Sequence, residues 1–326
     1  MVKINKIKLD KTDEKILFEL DKNCRIPSTK LAKKVGKSRQ AVEYRINKLV
    51  EQGIITSFNT ALNMHKMGYK AYKLYLKLKN IPNEKAKLFE YLEKSGNVYW
   101  LGECSGNWDL IFSIFAKTDY EFFEAKNKLI SEFNKIIIQE EGGILVDVKQ
   151  YPKMYFTSQI SAPTMFAGKI VENQLDKLDY EILSLIVNNA RMSLVEIAKK
   201  TKSTEIIIKN KLKKLEEKGI IIQYRIGVDL NKLGLELYKA IIKIDRYTKQ
   251  DEEKLLGFFS SIPNIQYYIR NIWQIEPELV VNNYQEYYEI IENAKKEFPE
   301  VIRTIDTVLM ISDKWTPGFG NLLKIK

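Results

Sequence analysis

Hydrophobic residues recur at helical spacing near the start of the chain and predict two short helices. The first helix begins near Thr12 and ends by Asn23. Its apolar face is formed by Ile16, Leu17 and Leu20. Pro27 and Ser28 open the second helix, whose apolar face is formed by Leu31, Ala32 and Val35. Gly36 ends this helix, because glycine readily adopts the backbone conformation of a tight turn.

A third helix follows the turn, with Ser38 as its predicted N-cap and Gly53 at its C-terminal end. The residues predicted to be buried on this helix are Val42, Ile46, Leu49 and Val50. The β-branched run Ile54, Ile55 and Thr56 then begins a wing strand. Two helices joined by a tight turn place the later helix where it can enter the major groove of DNA.

The outward side of the third helix carries polar residues suited to DNA. A rotation of about 100° per residue away from Val42 places Gln40 and Tyr44 outward, while Arg39 and Arg45 reach from the edges. Glutamine and asparagine pair with adenine, arginine pairs with guanine, and lysine and tyrosine bind phosphate oxygens. We predict a DNA-reading surface formed by Ser38, Arg39, Gln40, Tyr44, Arg45, Asn47 and Lys48. A solvent-exposed polar helix face is the alternative interpretation.

From Ala71 the pattern changes to strict alternation, which predicts a strand with one buried face. The residues predicted to point inward are Tyr72, Leu74, Leu76 and Leu78, and those predicted to point outward are Lys73, Tyr75, Lys77 and Lys79. A helix at 83–93, strands at 97–104 and 109–116, a helix from a capping box of Thr118 and Glu121 to about Phe133, and a strand at 144–151 follow. The order βαββαβ is that of a ferredoxin-like sandwich.

The sequence repeats itself at an offset of 166 residues, the distance from Leu9 to Leu175. LDKTDEKIL matches LDKLDYEIL, and KLVEQGII matches KLEEKGII. A period this long indicates a duplicated pair of domains, so we predict a second βαββαβ unit over 237–311. Residues 157–169 lack the periodic pattern and predict a linker between the copies.

The second copy keeps the buried framework of the first but changes the outward face of its third helix. The outward positions are Ile206, Asn210, Lys213 and Lys214, flanked by Ile207 and Lys211. Isoleucine cannot hydrogen-bond a base edge, although it can contact a thymine methyl group or pack on protein. We therefore expect weaker or less specific DNA binding by the second module, mainly through phosphate contacts from Asn210, Lys211, Lys213 and Lys214.

The net charge of +11 is concentrated in two blocks of the chain. Residues 1–60 contain 14 basic and 7 acidic residues, and residues 170–226 contain 11 and 8. Residues 70–155 are nearly neutral with 13 and 12, whereas residues 236–316 are acidic with 10 and 14. Basic blocks are expected where modules meet DNA phosphates. A lysine-rich solvated surface is an equally simple explanation of the charge alone.

The two cysteines, Cys24 and Cys104, are too few for a disulfide framework or a cysteine metal site. We predict buried, reduced thiols, no metal and no cofactor. No apolar stretch reaches the roughly 18 residues of a membrane span, and the N-terminus lacks the apolar run of a secretory signal. We therefore expect a cytoplasmic protein that does not bind membranes.

The motifs LDKTDEKIL, LAKKVGKSRQAVEYRINKLVEQGII and GECSGNWDL together resemble the Lrp/AsnC (feast/famine) transcriptional regulators, here as a tandem fusion. The resemblance implies an α+β fold in which two winged helix-turn-helix domains alternate with two ferredoxin-like domains of the RAM type. It implies binding to double-stranded DNA through the third helix of each module. It also implies self-association through the α/β domains and amino-acid effectors bound between sandwiches. We expect no enzymatic activity, because the sequence has no nucleophile elbow, phosphate loop, paired-histidine metal motif or repeated carboxylate pair.

An amino-acid effector would lie near the turn in GECSGNWDL. Gly102, Ser105, Gly106, Asn107 and Asp109 fit a compact turn that offers backbone N–H groups to a carboxylate. A hairpin that needs glycine only for its backbone angles is the alternative. The second copy has lost both glycines, so an effector pocket is not expected there.

Two other functions are open at this stage. An enzyme resembling siroheme decarboxylases would use histidine and arginine around a tetrapyrrole. The single histidine, His65, lies in the connector after the wing, where a surface or packing role is usual, and Asn231 takes its place in the second copy. A sequence-tolerant architectural DNA binder is the other alternative. If the two sandwiches pair within one chain, its unlike reading helices should prefer an asymmetric DNA site.

These observations divide the chain into six segments. They are a winged helix-turn-helix domain (1–62), a ferredoxin-like domain (63–156), a linker (157–172), a second winged helix-turn-helix domain (173–228), a second ferredoxin-like domain (229–316) and a C-terminal tail (317–326).

Overall fold

The computed structural model describes residues 6–315 and 322–323. Most of the predicted tail, 317–326, therefore lies outside the described residues. The helices of the first half are α1 (Lys11–Lys22), α2 (Ser28–Val35), α3 (Arg39–Glu51), α4 (Pro82–Lys94) and α5 (Asp119–Glu132). Its strands are β1 (Ile55–Leu62), β2 (Lys70–Leu78), β3 (Val98–Gly106), β4 (Leu110–Ala116) and β5 (Ile137–Gln150), and β6 (Thr164–Ala167) lies between the halves.

The second half repeats this order of helices and strands. Its helices are α6 (Lys177–Ile186), α7 (Leu194–Lys200), α8 (Glu205–Glu217), α9 (Leu230–Leu233), α10 (Lys249–Ser260) and α11 (Tyr284–Glu297). Its strands are β7 (Ile221–Val228), β8 (Glu236–Ile244), β9 (Ile265–Asn271), β10 (Ile275–Val281), β11 (Ile302–Met310) and β12 (Lys314–Trp315). The predicted α+β fold is confirmed.

The three helices of the first winged module begin and end at the predicted signals. The Ser38 side chain accepts a hydrogen bond from the backbone N–H of Ala41 and caps α3. Gly36 follows α2 with a positive φ of 67°, which glycine adopts without steric cost. The prediction for Val50 was wrong: this side chain is 41% exposed, because Val42, Ile46 and Leu49 already form the side of α3 that packs on α1 and α2.

The wing strands of the two halves pair with each other. β1 and β7 run antiparallel, with Phe58 opposite Ile226. The end of each first helix joins the other half's wing: the N–H of Cys24 donates to the Tyr224 carbonyl, and the N–H of Ala190 donates to the Phe58 carbonyl, both at 2.9 Å. One hydrophobic cluster contains the buried residues of both winged modules. The two modules therefore share a single core.

The two ferredoxin-like units join into a closed ring of strands. Within each unit the fourth strand pairs with the first, the first with the third and the third with the second. β5 of the first unit then pairs with β9 of the second, and β11 of the second pairs with β3 of the first. The ring thus has no free edge between the units, and its inner faces pack on each other.

This pairing explains the first two of three departures from the sequence-based predictions, and the third is local to the start of α5. Lys73 and Tyr75 were predicted to face solvent, but both are buried because the second sheet covers that face of β2. β5 begins at Ile137 rather than at residue 144, because its first part pairs with β2 before its second part pairs with β9. The capping box is only half formed, since the Glu121 carboxylate accepts from the N–H of Lys117.

The predicted linker contributes to the sheet. β6 pairs with the last residues of β5, from Asp147 to Gln150, so the segment at 157–169 is partly ordered as a strand. Cys24 and Cys104 are both free and buried, and burial raises the pKa of each thiol to about 12. In the described part of the chain, no helix has the length and apolar character needed to cross a membrane.

Candidate nucleic-acid interface

The predicted reading side of α3 lies on the surface of the molecule. Tyr44 has 69% of its surface exposed. The other predicted residues that are exposed are Ser38, Arg39, Gln40, Asn47 and Lys48. Arg39 donates from Nε to the Glu43 carboxylate at 2.8 Å, an exposed pair that water and phosphate can readily replace. The exposed side of α3 therefore carries hydrogen-bond donors and an aromatic ring, as the sequence predicted.

Arg45 is placed differently from the prediction. Its Nη1 donates to both Asp10 and Asp13 at 2.7 Å, and it is only partly exposed. In the second half Lys211 repeats this arrangement, pairing with Asp179 at 3.0 Å and with Asp176. Both side chains fasten the third helix to the start of the first helix of the same module. A structural role thus accounts for these two of the predicted DNA-binding residues.

The corresponding side of α8 is exposed but less polar at its start. Ile206 has 74% of its surface exposed, and Ile207 is also exposed. Asn210, Lys213 and Lys214 are exposed further along the helix, as predicted. A Thr204 cap takes the place of Ser38, since its hydroxyl accepts from the N–H of Ile207. The two reading helices therefore have the same framework and different surfaces.

Side-chain hydrogen bonds join the two winged modules in addition to the strand pairing. The Arg25 guanidinium of the first module donates to the carbonyls of Ala190 and Met192 in the second, the latter at 3.0 Å. Thr60 donates from its hydroxyl to the Ile186 carbonyl at 2.7 Å. Together with the β1–β7 pairing, these contacts connect the modules that carry α3 and α8.

Comparisons with known proteins agree with this geometry. A family model for winged helix-turn-helix DNA-binding domains matches residues 9–56 and 175–222. An uncharacterized HTH-type transcriptional regulator of Pyrococcus furiosus is 34% identical over 110 residues, which are 33% of this chain and 73% of that protein. The HTH-type transcriptional regulator LrpA of Pyrococcus horikoshii is 37% identical over 86 residues, which are 26% of this chain and 58% of LrpA.

The chain belongs to the Lrp/AsnC family. A solved structure resembles its whole length: the siroheme decarboxylase NirDL covers 96% of this chain and 97% of its own, with a TM-score of 0.63 and 14% sequence identity. At that identity the likeness concerns the fold. This Lrp/AsnC-family chain therefore contains two helix-turn-helix units in an arrangement that also occurs in a protein named as an enzyme.

The predicted effector turn of this Lrp/AsnC protein is already occupied by internal contacts. Gly102 lies inside β3 rather than in the turn, against Met310 and Trp100. Gly106 has a φ of 126°, and a Cβ there would lie 2.6 Å from the Thr307 carbonyl oxygen. Asp109 accepts from the N–H of Leu78 at 2.8 Å. The side chains of Ser105 and Asn107 are exposed, and Asn107 donates to Asp306 at 2.7 Å.

A cavity of about 760 Å³ lies between the paired wings and the strand ring. Its lining includes apolar residues from both halves and a group of polar residues that the sequence analysis did not single out: Asn63, Gln150, Lys153, Arg225, Gln266 and Tyr267. These residues are spread over the chain, so no motif could have found them. A cavity of this size is in the range used for small molecules.

The polar side of the cavity is organised around Asp21, which is fully buried. Arg225 donates to both carboxylate oxygens of Asp21, at 3.1 and 2.8 Å. The Lys153 ammonium is also buried and is 4.0 Å from Asp21, and burial lowers the pKa of Lys153 while Asp21 opposes that change. Among the described residues, Oε1 of Gln150 and Oε1 of Gln266 are buried without a hydrogen-bond partner.

His65 lines the same cavity but is held by the backbone. Its Nδ1 lies 2.8 Å from the Gly168 carbonyl oxygen, and its Nε2 accepts from the N–H of Ala71 at 3.3 Å. These contacts assign the proton to Nδ1 and use both ring nitrogens. Burial lowers the pKa of His65, although the bond to Gly168 opposes this. The histidine is therefore a neutral packing residue, one of the two roles considered from the sequence.

Proposed function

We propose that this protein is a cytoplasmic transcriptional regulator that reads an asymmetric DNA site with two unlike helices of one chain. The observation that carries the proposal is the exposure of α3 and α8 on two modules that share a single core. A shared core fixes the distance and angle between the helices, as a symmetric dimer does for two identical helices. Here the two half-sites need not be alike.

The first module supplies most of the sequence specificity in this proposal. Gln40 and Asn47 match adenine, Arg39 matches guanine, and Tyr44 and Lys48 are placed for phosphates or base edges. Asn210, Lys213 and Lys214 of the second module add phosphate contacts. Arg45 and Lys211 contribute through the ion pairs that orient their helices, and they reach DNA only if those pairs open.

The α/β domains assemble mainly within the chain in this proposal. The surfaces that would join two copies of a single-unit relative are used between the two halves, through the β5–β9 and β11–β3 pairings. The protein then acts as a single-chain counterpart of a dimer. Further association of whole chains would use other surfaces of the strand ring and its helices.

The experiment is selection of bound DNA from a random pool, followed by fluorescence anisotropy with the selected duplex. We expect an asymmetric consensus with one strong and one weak half-site. Inserting one base pair between the half-sites turns one relative to the other by about 34°, so a rigid protein should lose most of its specific affinity. A folded sample that binds no duplex at low ionic strength would overturn the proposal.

A salt series distinguishes this function from architectural binding. A binder dominated by phosphate contacts loses affinity steeply with salt and discriminates little between sequences. We expect the selected duplex to retain a large advantage over bulk DNA at each salt concentration. The same titration with and without free amino acids tests effector control at the Gly102–Asp109 segment. If amino acids change the DNA affinity through this segment, that change should be lost in Asn107→Ala.

A second candidate function is an enzyme that resembles siroheme decarboxylases, and the cavity favours it. NirDL has also been solved in complex with an iron-uroporphyrin III analogue, and that fold spans this chain. Against this function, both nitrogens of His65 are bound to the backbone and Arg225 is bound to Asp21. We propose that the protein is not an enzyme. Incubation with siroheme should then give neither a shifted absorbance spectrum nor a decarboxylated product.

A further inference from the structure

Four charged side chains are buried where the two ferredoxin-like units face each other. They are Lys73, Lys239, Glu276 and Glu278, and each has at most 5% of its side chain exposed. Glu276 binds both ammonium groups, with Lys239 at 3.1 Å, while Glu278 binds Lys239. The Tyr75 hydroxyl also donates to Glu276. None of these contacts belongs to the DNA surface or the cavity polar group.

The group stays charged although it lacks solvent. Burial lowers the pKa of Lys73 to about 8, and the Glu276 carboxylate opposes that change. Burial raises the pKa of Glu276, but the two lysines outweigh it and hold the pKa below the usual range. Both ammonium groups lie over the Trp100 ring, 5.5 Å from its centroid for Lys73 and 5.6 Å for Lys239, and the negative face of the ring adds to their stabilisation.

The two halves contribute unequally to this group. Lys73 in β2 corresponds to Lys239 in β8, so each half contributes one lysine. The residue opposite Lys73 in the neighbouring strand is Ser113, whereas the residue opposite Lys239 is Glu278. Two residues earlier in the same strands, Ile111 of the first half corresponds to Glu276 of the second. Both carboxylates therefore come from the second half.

We infer that this buried group selects the pairing of one first unit with one second unit and rejects pairing between like units. In the observed pairing two lysines meet two glutamates, so the buried charge is balanced. Two first units would bury two lysines with no carboxylate. Two second units would bury four glutamates with two lysines. Unpaired buried charges are strongly destabilising, so both like pairings are disfavoured.

The partner that fits each unit's inner face is thus the other half of this chain, and a second copy fits only if it presents its opposite half. This goes beyond the proposed function, because it concerns assembly and holds whether or not the protein binds DNA. As a consequence, each closed strand ring is attached to one α3 and one α8. Palindromic arrangements with two α3 helices are disfavoured at this interface.

Two complementary variants test the inference in the full chain. Glu276→Ile with Glu278→Ser removes both carboxylates, so each unit of that chain keeps one unpaired buried lysine. Ile111→Glu with Ser113→Glu adds two carboxylates to the first half, so each unit of that chain has one carboxylate in excess. Pairing within either chain, or between two copies of it, is then unbalanced, whereas a unit of one variant is balanced against a unit of the other.

The measurement is co-refolding from denaturant of an affinity-tagged chain with an untagged one. Three mixtures are compared: each variant with itself, and one variant with the other. Association through any other surface is the same in all three. We expect about 10-fold more untagged chain to be recovered from the mixture of the two variants, which corresponds to a 10-fold preference for the balanced pairing. Equal recovery from the three mixtures would overturn the inference.

Single substitutions guard against failure of these variants to fold. One chain carries only Glu278→Ser and the other only Ser113→Glu, and Glu276 stays with both lysines. Far-ultraviolet circular dichroism establishes folding before the mixing experiment. Pairing of first with second units then leaves one unbalanced charge in each variant alone and none between the two variants, so we expect a smaller excess from their mixture. Recovery from the mixture that is no greater than from either variant with itself would again contradict charge-based selection.

Discussion

The two winged modules share a skeleton and differ in what they expose. Both have a capped reading helix, a basic residue bound to the acidic start of the first helix, and a turn in the left-handed conformation. The turn residue is Gly36 in the first module and Lys202 in the second, with φ of 67° and 51°. On the reading side, Tyr44 corresponds to Asn210 and Gln40 to Ile206. The buried framework therefore defines the module, and the residues on the exposed side can change without altering that framework.

A second difference lies where the halves touch. Asp21 of the first half binds Arg225 of the second, but the matching residues, Val187 and Asn59, form no such pair. The buried charges between the two ferredoxin-like units are also unequally contributed, because both carboxylates come from the second half. The ion pairs within a module thus occur in both copies, whereas these charged contacts between the halves occur in one direction only.

The largest effect is expected at the one-sided contact between the modules. Asp21→Asn leaves the Arg225 guanidinium buried without its carboxylate, so stability to urea should fall by about 3–5 kcal/mol. The control adds Arg225→Asn, which introduces the residue found at the matching position, Asn59. We expect the double variant to be more stable than Asp21→Asn alone. A single variant within about 1 kcal/mol of wild type would show that the pair is not needed.

The next largest effect separates the two reading helices. Replacing Arg39, Gln40 and Tyr44 by alanine should cost about 1–3 kcal/mol for each lost base contact, measured as specific over bulk DNA affinity. The matched variant replaces Ile206, Asn210 and Lys213 by alanine. It should lose affinity with little change in specificity. Equal losses of specificity from the two sets would contradict the division of labour.

The turn residues provide a smaller, reciprocal test. Lys202→Gly should raise the free energy of unfolding by about 1 kcal/mol, because glycine adopts a positive φ without the cost paid by other residues. Gly36→Lys should lower it by a similar amount. Lys202→Ala is the control, since it removes the charge but keeps the strain. If alanine stabilises as much as glycine, the charge and not the backbone explains the effect.

The smallest effect concerns pH. The pKa of His65 is lowered by burial in the folded state, so below the ordinary pKa of about 6.5 the unfolded chain takes up a proton that the folded chain resists. Stability is therefore complete above that pH and falls as the pH decreases towards the folded pKa. His65→Asn, which installs the residue at the matching position Asn231, should flatten this dependence between pH 7.5 and 5.5 in urea titrations. An unchanged slope would assign the dependence to other groups.

The order of elements and the site on α3 were predictable because their signals are local. Caps such as Ser38, turn glycines such as Gly36 and the spacing of Val42, Ile46 and Leu49 each depend on a few neighbouring residues. The burial of Lys73 and Tyr75, which were predicted to be exposed, could not be predicted from the sequence. Alternation shows that the two faces of a strand differ, but a second sheet can cover a face that contains charges when it supplies carboxylates of its own.

The cavity escaped prediction for a related reason. Its polar residues, from Asn63 to Tyr267, come from wings, connectors and strands that are far apart in the sequence. Arg225 and Lys153 are buried because the wings cover this side of the strand ring.

Taken alone, the amino-acid sequence determined the duplicated winged and ferredoxin-like units, the ends of their helices and the polar side of α3, because periodicity and capping act within a few residues. Only the tertiary structure decided that the wings pair with each other, that β5 and β11 pair with strands of the other unit, and that Arg45 at the edge of α3 binds two carboxylates. Those outcomes depend on which surfaces of two similar halves meet, and the free energy of that meeting comes from contacts between residues more than a hundred positions apart.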